Sequence, residues 1–229
     1  MSLNKVKGNM YSWVTHTWNT VKGACPHGCH YCYMRRFGEQ KPVRFDEKEL
    51  KTNLGSGNFI FVGSGCDMWA NQIEHDWISE TLQHCMDYNN RYLFQSKNPE
   101  RIHRFHDVLP GNSVIGTTIE SNIRHPQMGY APDPLLRAEE MADFKTAGYE
   151  TTITIEPVMK FDLLSMVGII SACKPDFVNI GANTNPKVRL PEPTKQEVLD
   201  LIGYIEELTT VKLKSNLKRI LGKDMEAPK

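Results

Sequence analysis

The sequence predicts an α/β fold, with helices on a parallel sheet that forms an incomplete, TIM-like (β/α)6 barrel. Three observations predict it. Six short β-like runs recur along the 229 residues, and most are continuously apolar rather than alternating, as strands buried on both faces are. Helical patterns with clear start signals separate most of them. No two-residue hairpin turn joins successive runs, so the connections are right-handed crossovers between parallel strands.

The elements follow in order. Residues 11–18 (YSWVTHTW) are aromatic and β-branched and give the first strand. Residues 58–62 (NFIFV) give the second, and Ile78, Leu82, Cys85 and Met86 mark the helix behind it. Residues 92–95 (YLFQ) are the third, followed by Asn98-Pro99 as N-cap and first-turn proline and a stripe of Ile102, Phe105 and Leu109. Residues 113–119 (SVIGTTI) are the fourth. Asp133-Pro134 repeats the helix start, with Leu135, Ala138, Met141 and Ala142 as the apolar stripe and Gly148 as the stop. Residues 151–155 (TTITI) and 176–180 (DFVNI) are the last two strands, with a helix over 161–173 between them. Thr194-x-x-Glu197 is a capping box before Val198, Leu201, Ile202, Ile205 and Leu208. One domain over residues 1–208 is expected, with residues 209–229 as a basic C-terminal appendage.

Composition narrows the function classes. Hydrophobic residues at 40% and charged residues at 24% fit a globular chain, and zero formal net charge implies no obligatory polyanionic partner or membrane. No apolar run approaches the roughly 20 residues that span a bilayer. Met1–Asn9 is polar and basic, without the apolar core of a signal peptide. The reading is a protein of the reducing cytoplasm.

Cys25, Cys29 and Cys32 stand in C-x3-C-x2-C spacing, three of the six cysteines within eight residues. Thiolates are the usual ligands of iron–sulfur clusters. Three on one tight loop hold three irons of a [4Fe-4S] cube and leave the fourth open to a small molecule. Zinc competes, because His27 or His30 supplies a fourth ligand type, although no second cysteine knuckle exists. The spacing, with His30-Tyr31-Cys32-Tyr33 placing the last cysteine between aromatics, resembles the radical S-adenosylmethionine (SAM) enzymes. That resemblance gives the partial barrel its expected type.

In parallel α/β folds, chemistry sits beyond the carboxyl ends of the strands. After the second strand comes Gly63-Ser64-Gly65, small enough for close backbone approach to a ligand. In the family a glycine-rich segment here holds the SAM amine, usually as Gly-Gly-Glu, so the match is by position and smallness. After the third comes Lys97, suited to the SAM carboxylate or a substrate phosphate. Glu120 and Glu156 follow the fourth and fifth. Glu120 is a candidate for ribose hydroxyls, and Glu156 for ligand binding or for orienting Lys97. Gly181 and Asn183 follow the sixth, in a small polar segment suited to adenine.

The resemblance extends over roughly residues 10–185. The Cys loop with Phe61-Val62-Gly63-Ser64, Gln95-Ser96-Lys97-Asn98-Pro99-Glu100-Arg101, Val114–Glu120 and Ile155-Glu156-Pro157 is similar to a phage-associated radical SAM family of poorly defined function. The Cys29–Tyr33 segment is locally similar to the spore photoproduct lyases. These resemblances imply a reduced [4Fe-4S] cluster on Cys25, Cys29 and Cys32, a flavodoxin- or ferredoxin-like electron donor, and cleavage of SAM to a 5′-deoxyadenosyl radical. They imply Tyr31 beside the cofactor. They also imply Cys66 as hydrogen donor to a product radical, with Tyr31 or Tyr33 assisting. DNA or a nucleotide is the substrate so implied. Modification of a peptide or small metabolite is the alternative enzyme reading, and a zinc-binding nucleic-acid module is the non-enzyme one. Candidate phosphate contacts are Arg91, Lys97, Arg101 and Arg104, and Lys212, Lys214, Lys218, Arg219 and Lys223 in the tail. Trp69, Trp77 and Tyr88 are candidate base-stacking side chains.

Overall fold

The computed structural model describes residues 3–185 and 187–222. Strands β1 (Asn4–Lys5), β2 (His16–Trp18), β5 (Phe59–Val62), β6 (Arg91–Ser96), β7 (Ser113–Thr118), β8 (Glu150–Ile155), β9 (Phe177–Ile180) and β10 (Thr210–Leu213) form one sheet in that order. Only β1 runs antiparallel; every other pair is parallel. β3 (Val21–Lys22) and β4 (Arg44–Phe45) form a separate antiparallel pair. Helices α1 (His75–Met86), α2 (Pro99–His103), α3 (Pro134–Thr146), α4 (Leu163–Cys173), α5 (Lys195–Glu206) and α6 (Lys218–Leu221) complete the order. The expected α/β architecture is present, and the sheet does not close: no pairing among the described residues joins β10 to β1.

The strands explain their own continuity of apolar residues. Ile60, Val62, Tyr92, Phe94, Ile115, Ile153, Ile155, Val178 and Ile180 face the helices and share one core with α1, α3, α4 and α5. Phe61, Leu93, Val114 and Phe177 face the opposite way and surround Tyr11 and Val14. Burial on both faces removes the period-2 alternation of a half-exposed strand.

The first expected strand is mostly not a strand. Val14 N–H bonds the Tyr11 carbonyl at 3.2 Å, turning the chain, and strand pairing begins only at His16. The aromatics that suggested a strand serve as a plug. The Trp13 ring lies 4.9 Å from Phe59 of β5 and 5.0 Å from Phe177 of β9. On a flat sheet those strands would stand four spacings apart, roughly 19 Å at about 4.8 Å each. Contact with one indole therefore requires the sheet to curl around it, so the barrel is open but curved.

The segment after Leu208, expected as an appendage, carries β10, the seventh parallel strand, paired with β9 from Thr210↔Phe177 to Leu213↔Ile180. Val211, Leu217 and Leu221 join the main core. Lys223, and the expected tail beyond it, lies outside the described residues.

On α3 the buried positions are Pro134, Arg137, Ala138, Met141 and Phe144, whereas Leu135 and Leu136 are exposed. Ala138 and Met141 of the expected stripe are buried and Ala142 is half-buried, whereas Leu135 points outward and the charged Arg137 occupies the buried face in its place. Asn98 does not cap α2 with its side chain; its amide instead bonds the Trp69 carbonyl at 3.1 Å and Asn71 Oδ1 at 2.9 Å. The capping box of Thr194 and Glu197 on α5 is present as expected. No described helix is long and apolar enough to cross a membrane.

If the C-terminal segment belongs to the core, Leu217→Ala removes a fully buried side chain and costs about 3 kcal/mol through lost burial and the cavity left. The urea midpoint should fall accordingly; an unchanged midpoint would restore the appendage reading.

Candidate active site

A cavity of about 620 Å³ opens at the carboxyl ends of the strands. Cys25, Cys29, Cys32, Tyr31 and Tyr33 come to it from the loop after β3, Gly63–Cys66 from after β5, Lys97 from after β6 and Glu156 from after β8. Most of the expected site residues thus converge on one space. Gly181 and Asn183 do not line it, and neither does Glu120, which lies behind its wall.

The cysteine loop turns back on itself through Gly28, whose φ of +61° favours glycine. A second loop, after β7, braces it. His30 N–H bonds the Gln127 carbonyl at 2.9 Å, Tyr130 N–H bonds the His27 carbonyl at 2.7 Å, and the Cys29 thiol bonds the Met128 carbonyl at 3.3 Å. Gly129 permits that approach: a Cβ there would stand 2.2 Å from the His27 oxygen. All six cysteines are free.

The thiols differ. The neighbouring Cys66 thiol, by hydrogen bonding, lowers Cys25 to about 6. Cys66 itself is pushed far up by sharing that proton, by burial and by the Cys25 thiolate. Burial raises Cys29 to about 11 and raises Cys32. The three motif thiols do not gather as zinc ligands do; tetrahedral Zn–S bonds of about 2.3 Å place sulfurs roughly 4 Å apart. Among the described residues, the one such trio within 4.8 Å is His103, Glu140 and Asp143, away from the cavity. His27, the expected fourth zinc ligand, has its Nε2 on Asp67 at 2.9 Å, and His30 points to a different, exposed side. Three free thiols on one loop around an open cavity fit the donor set of a [4Fe-4S] cluster.

Two carboxylates, Asp67 at the cavity wall and the fully buried Glu120, fix this loop. Asp67 takes His27 Nε2, Ser96 Oγ at 2.9 Å, Lys97 N–H at 2.9 Å and Trp69 N–H at 3.0 Å. Burial opposes its charge, but His27 and these donors outweigh burial and keep its carboxyl below the usual range. In turn, burial would lower His27, and Asp67 more than offsets it. Glu120 accepts from Tyr31 Oη, from Lys97 Nζ at 2.6 Å and from Arg137 Nη1 at 2.8 Å. Burial alone would push Glu120 up; Lys97 and Arg137 hold it at about 2. Glu120 is fully buried behind the cavity wall with both oxygens engaged by protein donors, so it does not face a ribose, and it holds Tyr31 and Lys97 instead. Burial and the Glu120 charge push the Tyr31 phenol well up.

Arg137 was not anticipated. It is fully buried, donating also to the Thr118 carbonyl at 2.7 Å and the Pro132 carbonyl at 2.8 Å. The signal was available: counting back three to four residues at a time from Phe144 through Met141 passes through Arg137.

Glu156 is likewise occupied. Its oxygens accept from Asn9 and Asn216 amides at 2.7 Å each and from Lys214 at 2.5 Å. It clasps the N-terminal segment and the turn after β10 to the end of β8, and does not touch Lys97. Gly181 makes room for it, since a Cβ there would stand 2.7 Å from Glu156 Oε1. The Asn183 side chain is spent on its own loop, bonding the Asn185 and Val188 carbonyls at 2.9 Å. Gly65 N–H and Ser64 Oγ both go to Asn19 Oδ1, at 2.7 and 3.3 Å, and Tyr33 Oη donates to the Ser64 carbonyl at 2.9 Å. Asn19, also unanticipated, thus sets the Gly-Ser-Gly segment against the cavity.

The expected basic clusters are largely consumed internally. Arg91 pairs with Glu150, Arg104 with Glu100, Lys214 with Glu156 and Arg219 with Glu192. Arg101 donates to the Asn71 and Ile73 carbonyls, and Lys212 lies over the Trp13 and Phe177 rings. Trp69 is wholly in the core, and Trp77 and Tyr88 pack against it, so none of the three faces the cavity.

No protein-family model and no curated protein matches the sequence. Solved structures do match. A tyrosine-to-phenylalanine mutant of spore photoproduct lyase superposes with a TM-score of 0.65 at 12% identity, covering 92% of this chain and 80% of that one. A cysteine-to-alanine mutant of that lyase with dinucleoside spore photoproduct gives 0.63 at 12%, again covering 92% and 80%. SuiB of Streptococcus suis bound to S-adenosylmethionine gives 0.57 at 9%, covering 93% of this chain and 53% of SuiB. Both proteins are radical SAM enzymes. At such identities the common property is the fold.

Two outcomes follow from the Glu120 network. Arg137→Ala removes one of the two cations that pair a fully buried carboxylate, leaves Glu120 Oε2 without its partner, and should cost about 3 kcal/mol in chemical denaturation. Because the folded Glu120 carboxyl titrates below its unfolded value, its stabilisation is full above the unfolded pKa and disappears as pH falls toward about 2. Wild-type stability should therefore lose roughly 3 kcal/mol from this group between about pH 5 and 2. Glu120→Gln should flatten that part of the profile, and an equally steep profile would contradict the assignment.

Proposed function

We propose that this chain is a radical SAM enzyme that acts on DNA or a nucleotide. The observation that carries the reading is the convergence of three free thiols, Cys25, Cys29 and Cys32, on a cavity at the carboxyl end of a curved parallel sheet. These cysteines would hold a [4Fe-4S] cluster. When bound, such a cluster supplies the electron that breaks SAM into methionine and a 5′-deoxyadenosyl radical able to take a substrate hydrogen.

The chain's own residues then bind, orient and shield. Gly63-Ser64-Gly65, anchored by Asn19, offers a side-chain-poor wall along which the methionine part of SAM can lie. Lys97 faces the cavity with its ammonium fixed by Glu120, and suits the SAM carboxylate. Glu120 and Glu156 are positioning residues in this reading. Gly181 and Asn183 shape the wall near the adenine indirectly, through Glu156 and the loop before Arg189. Tyr11, Tyr31, Tyr33 and Phe61 give the cavity an aromatic lining that suits a base and excludes water.

Cys66 lines the cavity as a free thiol and is our candidate hydrogen donor. Its S–H would give a hydrogen atom to the product radical, the resulting thiyl would take one back from a phenol, Tyr33 or Tyr31, and the phenoxyl so formed would return to the phenol by taking one electron from the external donor and one proton from solvent. The lyase solved with a dinucleoside photoproduct supports a nucleotide substrate by analogy of fold. The external electron would come from a flavodoxin- or ferredoxin-like protein.

Anaerobic reconstitution with iron and sulfide, followed by electron paramagnetic resonance with and without SAM, tests the reading. A cluster signal that changes with SAM and 5′-deoxyadenosine formation are expected, both lost on Cys25→Ala, Cys29→Ala or Cys32→Ala. Tight zinc with no response to SAM would overturn it. Cys66→Ala should keep SAM cleavage but lose product return; unchanged turnover removes Cys66 from the mechanism.

A further inference from the structure

Beside the active cavity lies a second, shallower groove of about 550 Å³, lined by His30, Arg35, Arg36, Lys187 and Arg189 together with Asn185 and Val188. Nothing in the sequence singled it out, because its two walls are about 150 residues apart: the turn carrying Tyr33–Phe37 on one side, the loop after β9 on the other. Arg35 and Arg36 line both spaces, so the groove runs into the mouth of the active cavity.

Its charge is unusual for this molecule. The chain is neutral overall, and most cations near the strand ends are spent on internal carboxylates. The groove has four permanent cations and no carboxylate in its lining, and none of the four is in an ion pair among the described residues. Uncompensated like charges repel and are costly to hold together without a counter-charge.

The walls are also pre-arranged. Arg35 is fixed by Nε and Nη2 on the Cys29 and Gly28 carbonyls at 2.9 and 3.0 Å. The Arg36 guanidinium rests over the Tyr33 and Phe37 rings at 5.8 and 5.5 Å. Across the groove, Asn183 and Asn185 bond the loop to itself, and Lys187 N–H goes to Asn185 Oδ1 at 3.2 Å. Cations facing one another across a channel, carried on braced loops, suit successive phosphates, which carry no sequence information but hold a strand in place.

We infer that this groove binds the phosphates of a DNA strand flanking the nucleotide in the active cavity. The inference rests on the nucleotide reading above. It adds that the substrate is a polymer rather than a free nucleotide, and that Arg36, Lys187 and Arg189 are its phosphate contacts.

The test is fluorescence anisotropy with single-stranded oligothymidylate of about 12 nucleotides, a length typical of single-strand sites, across about 50–200 mM salt. Lys187→Gln/Arg189→Gln should weaken binding and reduce the slope of log affinity against log salt by about 1.4, near 0.7 per lost contact. Lys48→Gln/Lys51→Gln removes the same charge from exposed positions elsewhere and should leave affinity and slope unchanged. A thymidine dinucleotide should bind far more weakly than the oligomer and ignore the groove substitutions. Equal effects of the two double variants, no effect of either, or equal affinity for dinucleotide and oligomer would each overturn the groove. SAM cleavage without substrate is read separately. Its presence in wild type alongside a failed groove test discards the groove alone, whereas its absence discards the enzyme reading.

Discussion

A carboxylate removed from water must find positive partners or lose its charge, and this constraint organises the active face. Glu120 is fully buried and Asp67 mostly so, and Lys97 serves both: its backbone N–H goes to Asp67 and its ammonium to Glu120. Each carboxylate also reaches into the cysteine loop, Asp67 to His27 between Cys25 and Cys29, and Glu120 to Tyr31 just before Cys32. The loop is therefore pinned at two points, one beside each end of the motif, to the ends of β5, β6 and β7. A side chain that could satisfy a ligand is used instead to fix the geometry of those that will, the usual requirement for a preorganised site.

The curl of the sheet makes that pinning possible. Trp13 draws β5 and β9 around itself, and Tyr11 above it bonds Gln95 of β6 and Thr154 of β8 at 2.9 and 2.8 Å. With the interior plugged below and ringed by short polar contacts, the strand ends converge on one space. The open edge is closed by Glu156, which ties the chain's N-terminal segment to the turn after β10. The barrel is thus completed at its mouth by side chains rather than by strand pairing. Away from that tie, the cationic groove meets the cavity at Arg35 and Arg36, which line both.

Much of this was legible in the sequence, and the omissions have physical causes. Spacing alone located the cysteine loop, and apolar continuity located β5 to β9, because both signals are local. β10 was missed since Thr-Val-Lys-Leu alternates, and a lysine on the barrel side reads as solvent-facing until Trp13 and Phe177 are known to lie under it. Arg137 was hidden by two exposed leucines that imitate a core stripe. Glu120 and Glu156 were recognised as carboxylates at strand ends, but a sequence cannot say whether a carboxylate faces a ligand or an internal cation. Here both face cations. Gly181 and Asn183 fail in the same way: smallness and polarity were visible, whereas the reason for them, room for Glu156 and a loop that bonds itself, is tertiary.

The protonation states of the cavity wall bear on what class of reaction it suits. General acid–base work needs a group titrating near neutrality and aimed at substrate, and nucleophilic work needs an activated one beside its base. Burial pushes Tyr33 up to about 12, raises Tyr11 further and holds Tyr31 far above neutrality, and the proton shared with Cys25, with burial, does the same for Cys66. His27 could have been a base, but it is committed to Asp67. Cys25 is the acidic exception, and it belongs to the motif that would bind iron. Beside the ion-paired Lys97 and Glu156, the wall carries the O–H and S–H groups of Tyr11, Tyr31, Tyr33 and Cys66, which keep their hydrogens at physiological pH. Such groups are poor proton donors and poor nucleophiles, yet they are suited to giving up a hydrogen atom whole. Such a wall accords with the radical reaction proposed above, in which hydrogen moves as an atom.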